Sequence, residues 1–162
     1  MVLGCGVDLA DVARFEREVA RRGDALIEEL FSASERAWCR RRRRAAEGYA
    51  MDYAAKEAVF KALGTGKVGR MAWHDIDVAW PEGAAGPTVT LTGETAAVAE
   101  GMGVRAVRLA VATTREHAVG WVVLTGFETR DSGFACRGEA ERSSSTAGLL
   151  DSRIPNPESR RT

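Results

Sequence analysis

Apolar positions change period along the chain, and each change marks an element. Residues 2–9 form a short apolar run with β-branched side chains and glycines, which predicts a first strand ending near Asp8. Val12, Phe15 and Val19 then recur at helical spacing through DVARFEREVARRG, with arginines on the other faces and Gly23 as the stop. Residues 25–31 read as a second short helix. Ser34 is the expected cap of a third, with Glu35 early and arginines late, the order a helix dipole favours. A fourth helix is predicted over residues 51–63. Ala55, Ala58, Val59, Ala62 and Leu63 give it a broad apolar surface, and positions 53, 57, 60, 61 and 64 share another side.

Strand alternation follows in DIDVAW (75–80) and PTVTLT (87–92), with a short helix over 94–101. Residues 104–124 predict a hairpin. Val107, Leu109 and Val111 share one face of its first strand, and Val119, Trp121 and Val123 share one face of its second. Helices grouped among mostly antiparallel strands indicate an α+β fold, helices packed on a sheet, as a single domain over residues 1–126. From there to residue 162 the chain is rich in Ser, Arg, Gly and Pro without periodicity, so 127–162 is expected to be a disordered tail.

Composition narrows the function classes. Of 162 residues 45% are hydrophobic, enough for a real core, and 23 basic residues balance 23 acidic ones. Net charge therefore gives no argument for a nucleic-acid partner. The run CRRRRR (39–44) lacks interleaved aromatics, and stays open between a solvated helix end and a phosphate contact. Three cysteines without a CxxC pair and two histidines give too few ligands for zinc. Cys5 is expected in the core and His117 packed. No apolar run is long enough for a membrane span and no signal pattern opens the chain, so the expectation is a soluble, cytoplasmic protein with no membrane partner.

The candidate chemistry lies in YAAKEAVFKALGTG (53–66). Glu57 and Lys61 stand four apart, a spacing that contributes only about 0.2–0.5 kcal/mol as a solvated surface pair. Gly64-Thr65-Gly66 then either stops the helix or lets a ligand approach the backbone. Asp8 closes a predicted core strand, where a carboxylate is costly unless paired or bound to a cation. Asp8 and Glu57 are hard oxygen donors of the number Mg²⁺ takes from a protein, and Lys61 is placed to neutralise a phosphate on the same ion.

GVDLADVARFE (6–16), FSASERAWC (31–39), DYAAKEAVFKALGTG (52–66), WHDIDV (73–78) and TREHAVGWVVL (114–124) together resemble the holo-[acyl-carrier-protein] synthase family, the small 4'-phosphopantetheinyl transferases. The resemblance spans nearly all of residues 1–126 and implies that family's fold. It implies Mg²⁺-dependent transfer of the 4'-phosphopantetheine arm of coenzyme A to a serine of an apo-acyl carrier protein, releasing adenosine 3',5'-bisphosphate. By position, Asp8 and Glu57 match metal ligands, and Glu57 and Lys61 match catalytic residues, with Glu57 favoured as general base over Lys61. Lys56, Gly64, Thr65 and Gly66 are expected to bind substrate. Arg14 and Arg21 match positions that dock the acidic helix of the carrier, and a homotrimer with coenzyme A between subunits is implied.

Two positions depart from the family pattern. Residues 110–113 read Ala-Val-Ala-Thr where relatives carry a Ser-x-Ser/Thr-His segment, and Asp52 replaces a common arginine. Both predict altered coenzyme A contacts. They also motivate a second reading, a catalytically degenerate module that binds the carrier or coenzyme A.

Overall fold

The computed structural model describes residues 1–127, so the predicted tail lies outside the described residues from position 128 on. Strand β1 (Val2–Asp11) pairs antiparallel with β5 (His117–Thr125), which pairs antiparallel with β4 (Ala106–Thr113). The sheet order is β1-β5-β4. Helices α1 (Val12–Arg22), α2 (Asp24–Leu30) and α3 (Ala33–Arg40) lead into the long α4 (Ala45–Ala62). A 3-10 turn (Trp73–Asp75) precedes a second sheet of β2 (Ile76–Ala79) and β3 (Thr88–Leu91), and α5 (Gly93–Gly101) returns the chain to β4.

Helix α4 lies directly on the inner face of the three-stranded sheet because three facing positions have no side chain. A Cβ at Gly4 would collide with the Ala62 carbonyl oxygen, and one at Gly6 with that of Ala58. A Cβ at Gly120 would stand 2.6 Å from the Ala54 carbonyl oxygen. Side chains alternate along a strand, so Asp8 shares the face of Gly4 and Gly6 and is directed at the helix. The odd positions Cys5, Val7 and Leu9 point the other way and are exposed, so Cys5 is not a core residue. His117, paired with Asp11 at the sheet's end, is exposed as well, and is not packed as expected.

Ala50, Ala54, Ala55, Ala58, Val59 and Phe60 are fully buried on α4. The helix begins six residues before the predicted start, since its first six residues are mostly small and carry no apolar stripe set against a polar one. Phe60 shares no open face with Glu57 and Lys61; it packs edge-on against Trp73 with ring centres 5.4 Å apart. The cap of α3 is Ser32, not Ser34. Ser32 Oγ accepts from the Glu35 N–H at 3.2 Å, and the Ser32 N–H donates to Glu35 Oε2 at 2.8 Å, a reciprocal pair that satisfies two free amides. Ser34 Oγ instead donates to Asp77. Among the described residues no helix is long and apolar enough to cross a membrane.

Candidate active site

The glycine-lined contact brings the end of β1 against the C-terminal half of α4. Lys61 Nζ donates to Asp8 Oδ1 at 2.7 Å, bridging strand and helix. Glu57, one turn earlier on α4, accepts instead from the Tyr53 hydroxyl at 3.1 Å. The i,i+4 pair suggested by the Glu57/Lys61 spacing is therefore not made; each member takes a different partner. Asp8, Glu57, Lys61 and Tyr53 line a single cleft of about 600 Å³, with Arg14 and Phe15 of α1 on its wall.

Two carboxylates act on the same neighbours. The hydrogen bond to Asp8, followed by the charges of Asp8 and Glu57, holds the Lys61 ammonium above the usual lysine range. Burial, then the charge and hydrogen bond of Glu57 and the charge of Asp8, push the Tyr53 phenol up to about 12. Near neutral pH Lys61 is a cation and Tyr53 a donor. Acidic side chains (Asp8, Asp11, Glu18, Glu29 and Glu57) outnumber basic ones (Arg14, Arg22 and Lys61) around the cleft. Among the described residues no group of three or more His, Cys, Asp or Glu could hold a metal. Asp8 and Glu57 are carboxylates, the hard oxygen donors that a Mg²⁺ ion takes one or two of from a protein, with phosphate and water as its remaining ligands.

Lys56 does not reach this cleft, contrary to the substrate-binding expectation. It is fully buried, and its Nζ sits 2.8 Å from Glu35 Oε2 while donating to the carbonyls of Leu30 at 2.9 Å and Trp73 at 3.0 Å. All three ammonium hydrogens have partners, so none is free for a phosphate. Glu35 in turn accepts from the Val78 N–H at 2.8 Å, so the pair ties α3, α4 and β2 together. The Ser32-x-x-Glu35 spacing marks Glu35 as the capping-box acid of α3 and carries no sign of its pairing with Lys56. Gly64, Thr65 and Gly66 stand just past Lys61 at the C-terminal end of α4 and are not part of the cleft wall. Gly64 (φ 76°) and Gly66 (φ 65°) adopt left-handed backbone, which presents main chain without a Cβ.

Arg14 is exposed at the cleft and makes no ion pair among the described residues, whereas Arg21 is held by Glu18 at 2.6 Å. The arginine run is divided. Arg42 lies over Trp38 at 4.5 Å, Trp38 stacks on Trp80 at 4.4 Å, and Arg44 pairs with Glu47 and, at 3.7 Å, with Glu16 of α1. Arg40, Arg41 and Arg43 are exposed. Asp52 faces the core and is not part of the cleft wall. It accepts from Trp80 Nε1 at 2.9 Å and Cys39 Sγ at 3.5 Å, and burial pushes it up to about 7. Ala110 and Ala112 lie opposite Trp121 and Val119 on the outer sheet face, away from the cleft.

A family model for the 4'-phosphopantetheinyl transferase superfamily matches residues 4–119. The chain belongs to that superfamily. Among curated relatives, a holo-[acyl-carrier-protein] synthase of Desulforudis audaxviator is 45% identical over 126 residues, 78% of this chain and 95% of the relative. One of Koribacter versatilis is 38% identical over 124 residues, 76% of this chain and 98% of the relative. The fold matches the transferase of Neisseria meningitidis with a TM-score of 0.70 at 25% identity, covering 77% of this chain and 99% of that one. It also matches the Helicobacter pylori enzyme solved in complex with coenzyme A, with a TM-score of 0.65 at 26% identity and coverage of 75% and 99%. The α+β transferase fold, with helices on an antiparallel sheet, is that of these neighbours, and Asp8, Glu57 and Lys61 lie within the residues matched by the family model.

Proposed function

We propose that the chain transfers the 4'-phosphopantetheine arm of coenzyme A to a serine of an apo-acyl carrier protein. The observation that carries this reading is the convergence of Asp8, Glu57 and Lys61 in one cleft, with Asp8 and Lys61 in contact at 2.7 Å. The relatives are holo-[acyl-carrier-protein] synthases, and the Helicobacter pylori neighbour binds coenzyme A, both of which support it.

The serine oxygen attacks the β-phosphorus of the coenzyme A diphosphate. A new P–O bond to serine forms, the P–O bond to the nucleotide side breaks, and adenosine 3',5'-bisphosphate leaves with the bond's electron pair. Glu57 accepts the serine proton, a role open to it because Lys61 is held protonated. Lys61 offsets charge on the attacked phosphate. Asp8 and Glu57 would hold Mg²⁺, which as a Lewis acid lowers the repulsion between diphosphate oxygens and nucleophile. The Gly64 and Gly66 amides donate to the Lys61 and Phe60 carbonyls, so what this turn offers a substrate beyond Lys61 is the close approach to the main chain around Thr65 that two residues without a Cβ allow. Arg14, free at the cleft, offers positive charge to an acidic carrier helix, and Arg21, two turns along the same face of α1, would join it by exchanging its Glu18 partner for a carrier carboxylate.

The family resemblance implies a homotrimer, and the exposed outer sheet face is a surface on which copies of this chain could associate. Val7, Leu9 and Trp121 are 57%, 63% and 58% exposed there, large apolar side chains that a second copy would cover. A reducing cytoplasm suits an exposed Cys5 thiol. The test is incubation of the protein with coenzyme A, Mg²⁺ and an apo-carrier, with mass spectrometry of the carrier. Gain of the phosphopantetheine mass is expected. Carrier binding without any mass gain would favour the degenerate binding module instead.

A further inference from the structure

We propose that Tyr53 is a positioning residue for Glu57, committing one carboxylate oxygen to the helix and leaving the other to face the cleft. The inference rests on the transferase reading above, and concerns which side chain sets the geometry of its central acid.

Tyr53, Glu57 and Lys61 occupy successive turns on one side of α4, but only the first two touch. The Tyr53 hydroxyl donates to Glu57 Oε1, and among the described residues no other group donates to that carboxylate. Lys61, the obvious helical neighbour, is turned to Asp8. Without the phenol, a glutamate with three side-chain torsions would sample several rotamers at the cleft wall.

The phenol itself is well held. Its ring packs against Phe15 of α1 at 5.9 Å and against Trp73 of the 3-10 turn at 5.3 Å, so two separate elements fix its plane. The hydroxyl is thus a donor anchored to the fold, reaching the one acid of α4 that lines the cleft. A phenylalanine would keep the ring packing and lose this donor. Removing an outer hydrogen-bond partner of a metal-ligating side chain lowers metal affinity or activity by roughly 10–100-fold.

The test compares wild type, Tyr53→Phe, Glu57→Asp and the double variant in the full chain. Mn²⁺ affinity is read by electron paramagnetic resonance, alongside kcat, KM and the melting temperature. Asp at 57 keeps a carboxylate but is one methylene too short for the phenol. The expected result for Tyr53→Phe is Mn²⁺ affinity lowered by at least about tenfold, reduced kcat, unchanged KM for coenzyme A and carrier, and an unchanged melting temperature. In the Glu57→Asp background the same change should do nothing. Wild-type Mn²⁺ affinity and kcat in Tyr53→Phe would overturn the inference. So would an equal loss in the Glu57→Asp background, because the hydroxyl would then act on something other than Glu57. If wild type modifies no carrier while Mn²⁺ affinity still depends on the Tyr53 hydroxyl through Glu57, the positioning role stands and the transferase reading fails alone.

Discussion

Replacing Lys56 by methionine removes a buried ammonium that sits 2.8 Å from Glu35 and donates at 2.9 and 3.0 Å to two backbone carbonyls. Methionine fills similar volume but leaves the fully buried Glu35 carboxylate without its counter-charge. Breaking a buried ion pair from one side costs about 3–5 kcal/mol. For a domain of this size that lowers the melting temperature by roughly 10–20 °C. Adding Glu35→Gln removes the stranded charge and should recover part of the loss, although the Ser32 amide then loses a good acceptor. Circular dichroism melts of the two variants measure this, with transfer rates taken well below both transitions. Turnover per folded molecule should stay close to wild type, since Lys56 does not reach the cleft. A Lys56→Met protein that melts like wild type but needs far more coenzyme A would refute the assignment and restore Lys56 as a substrate ligand.

Gly6→Ala places a methyl against the backbone of Ala58 and 2.6 Å from the Ala62 nitrogen, atoms that cannot rotate away. It should cost about 1–3 kcal/mol in urea unfolding, and turnover should fall further than the folded fraction because Asp8 shifts with the strand. Asp52 has a folded value of about 7, raised above an unfolded value near 3.8, so its contribution is fully present below the unfolded value and is lost as pH rises through 7. Asp52→Asn should therefore melt higher than wild type at pH 8, by an amount that shrinks towards pH 5; a pH-independent difference would contradict this. Arg14→Glu should raise the KM for the carrier roughly tenfold while leaving that for coenzyme A unchanged, and equal rises in steady-state kinetics would count against docking.

The elements with one wet face were legible in the chain. Strand β1, helix α1 with its Gly23 stop, and the β4–β5 hairpin follow from period and turn residues. Helix α4 was legible only where charge interrupts it. Its first six residues run from half-buried (Ala45, Ala46 and Glu47) to buried (Gly48, Tyr49 and Ala50) and are mostly small, so they carry no apolar stripe set against a polar one. Lys56 read as one more charged residue beside Glu57; only the fold shows it meeting Glu35, 21 positions earlier in the chain. Asp8, Glu57 and Lys61 were nameable from residue type and motif, but their partners were not. Spacing suggests Glu57 with Lys61, whereas the close approach at Gly4 and Gly6 gives Lys61 to Asp8 and leaves Glu57 to Tyr53. That Gly4, Gly6 and Asp8 fall on one strand face was a signal present in the sequence all along.

Joint capture of one divalent ion by a strand acid and a helix acid can be seen most directly in crystals grown with coenzyme A and Mn²⁺, from the anomalous scattering of the metal. A single peak within bonding distance of carboxylate oxygens of both Asp8 and Glu57, beside the diphosphate and Lys61, is the predicted result. Coenzyme A bound with the manganese on neither acid, and Asp8 still closed on Lys61, would contradict it.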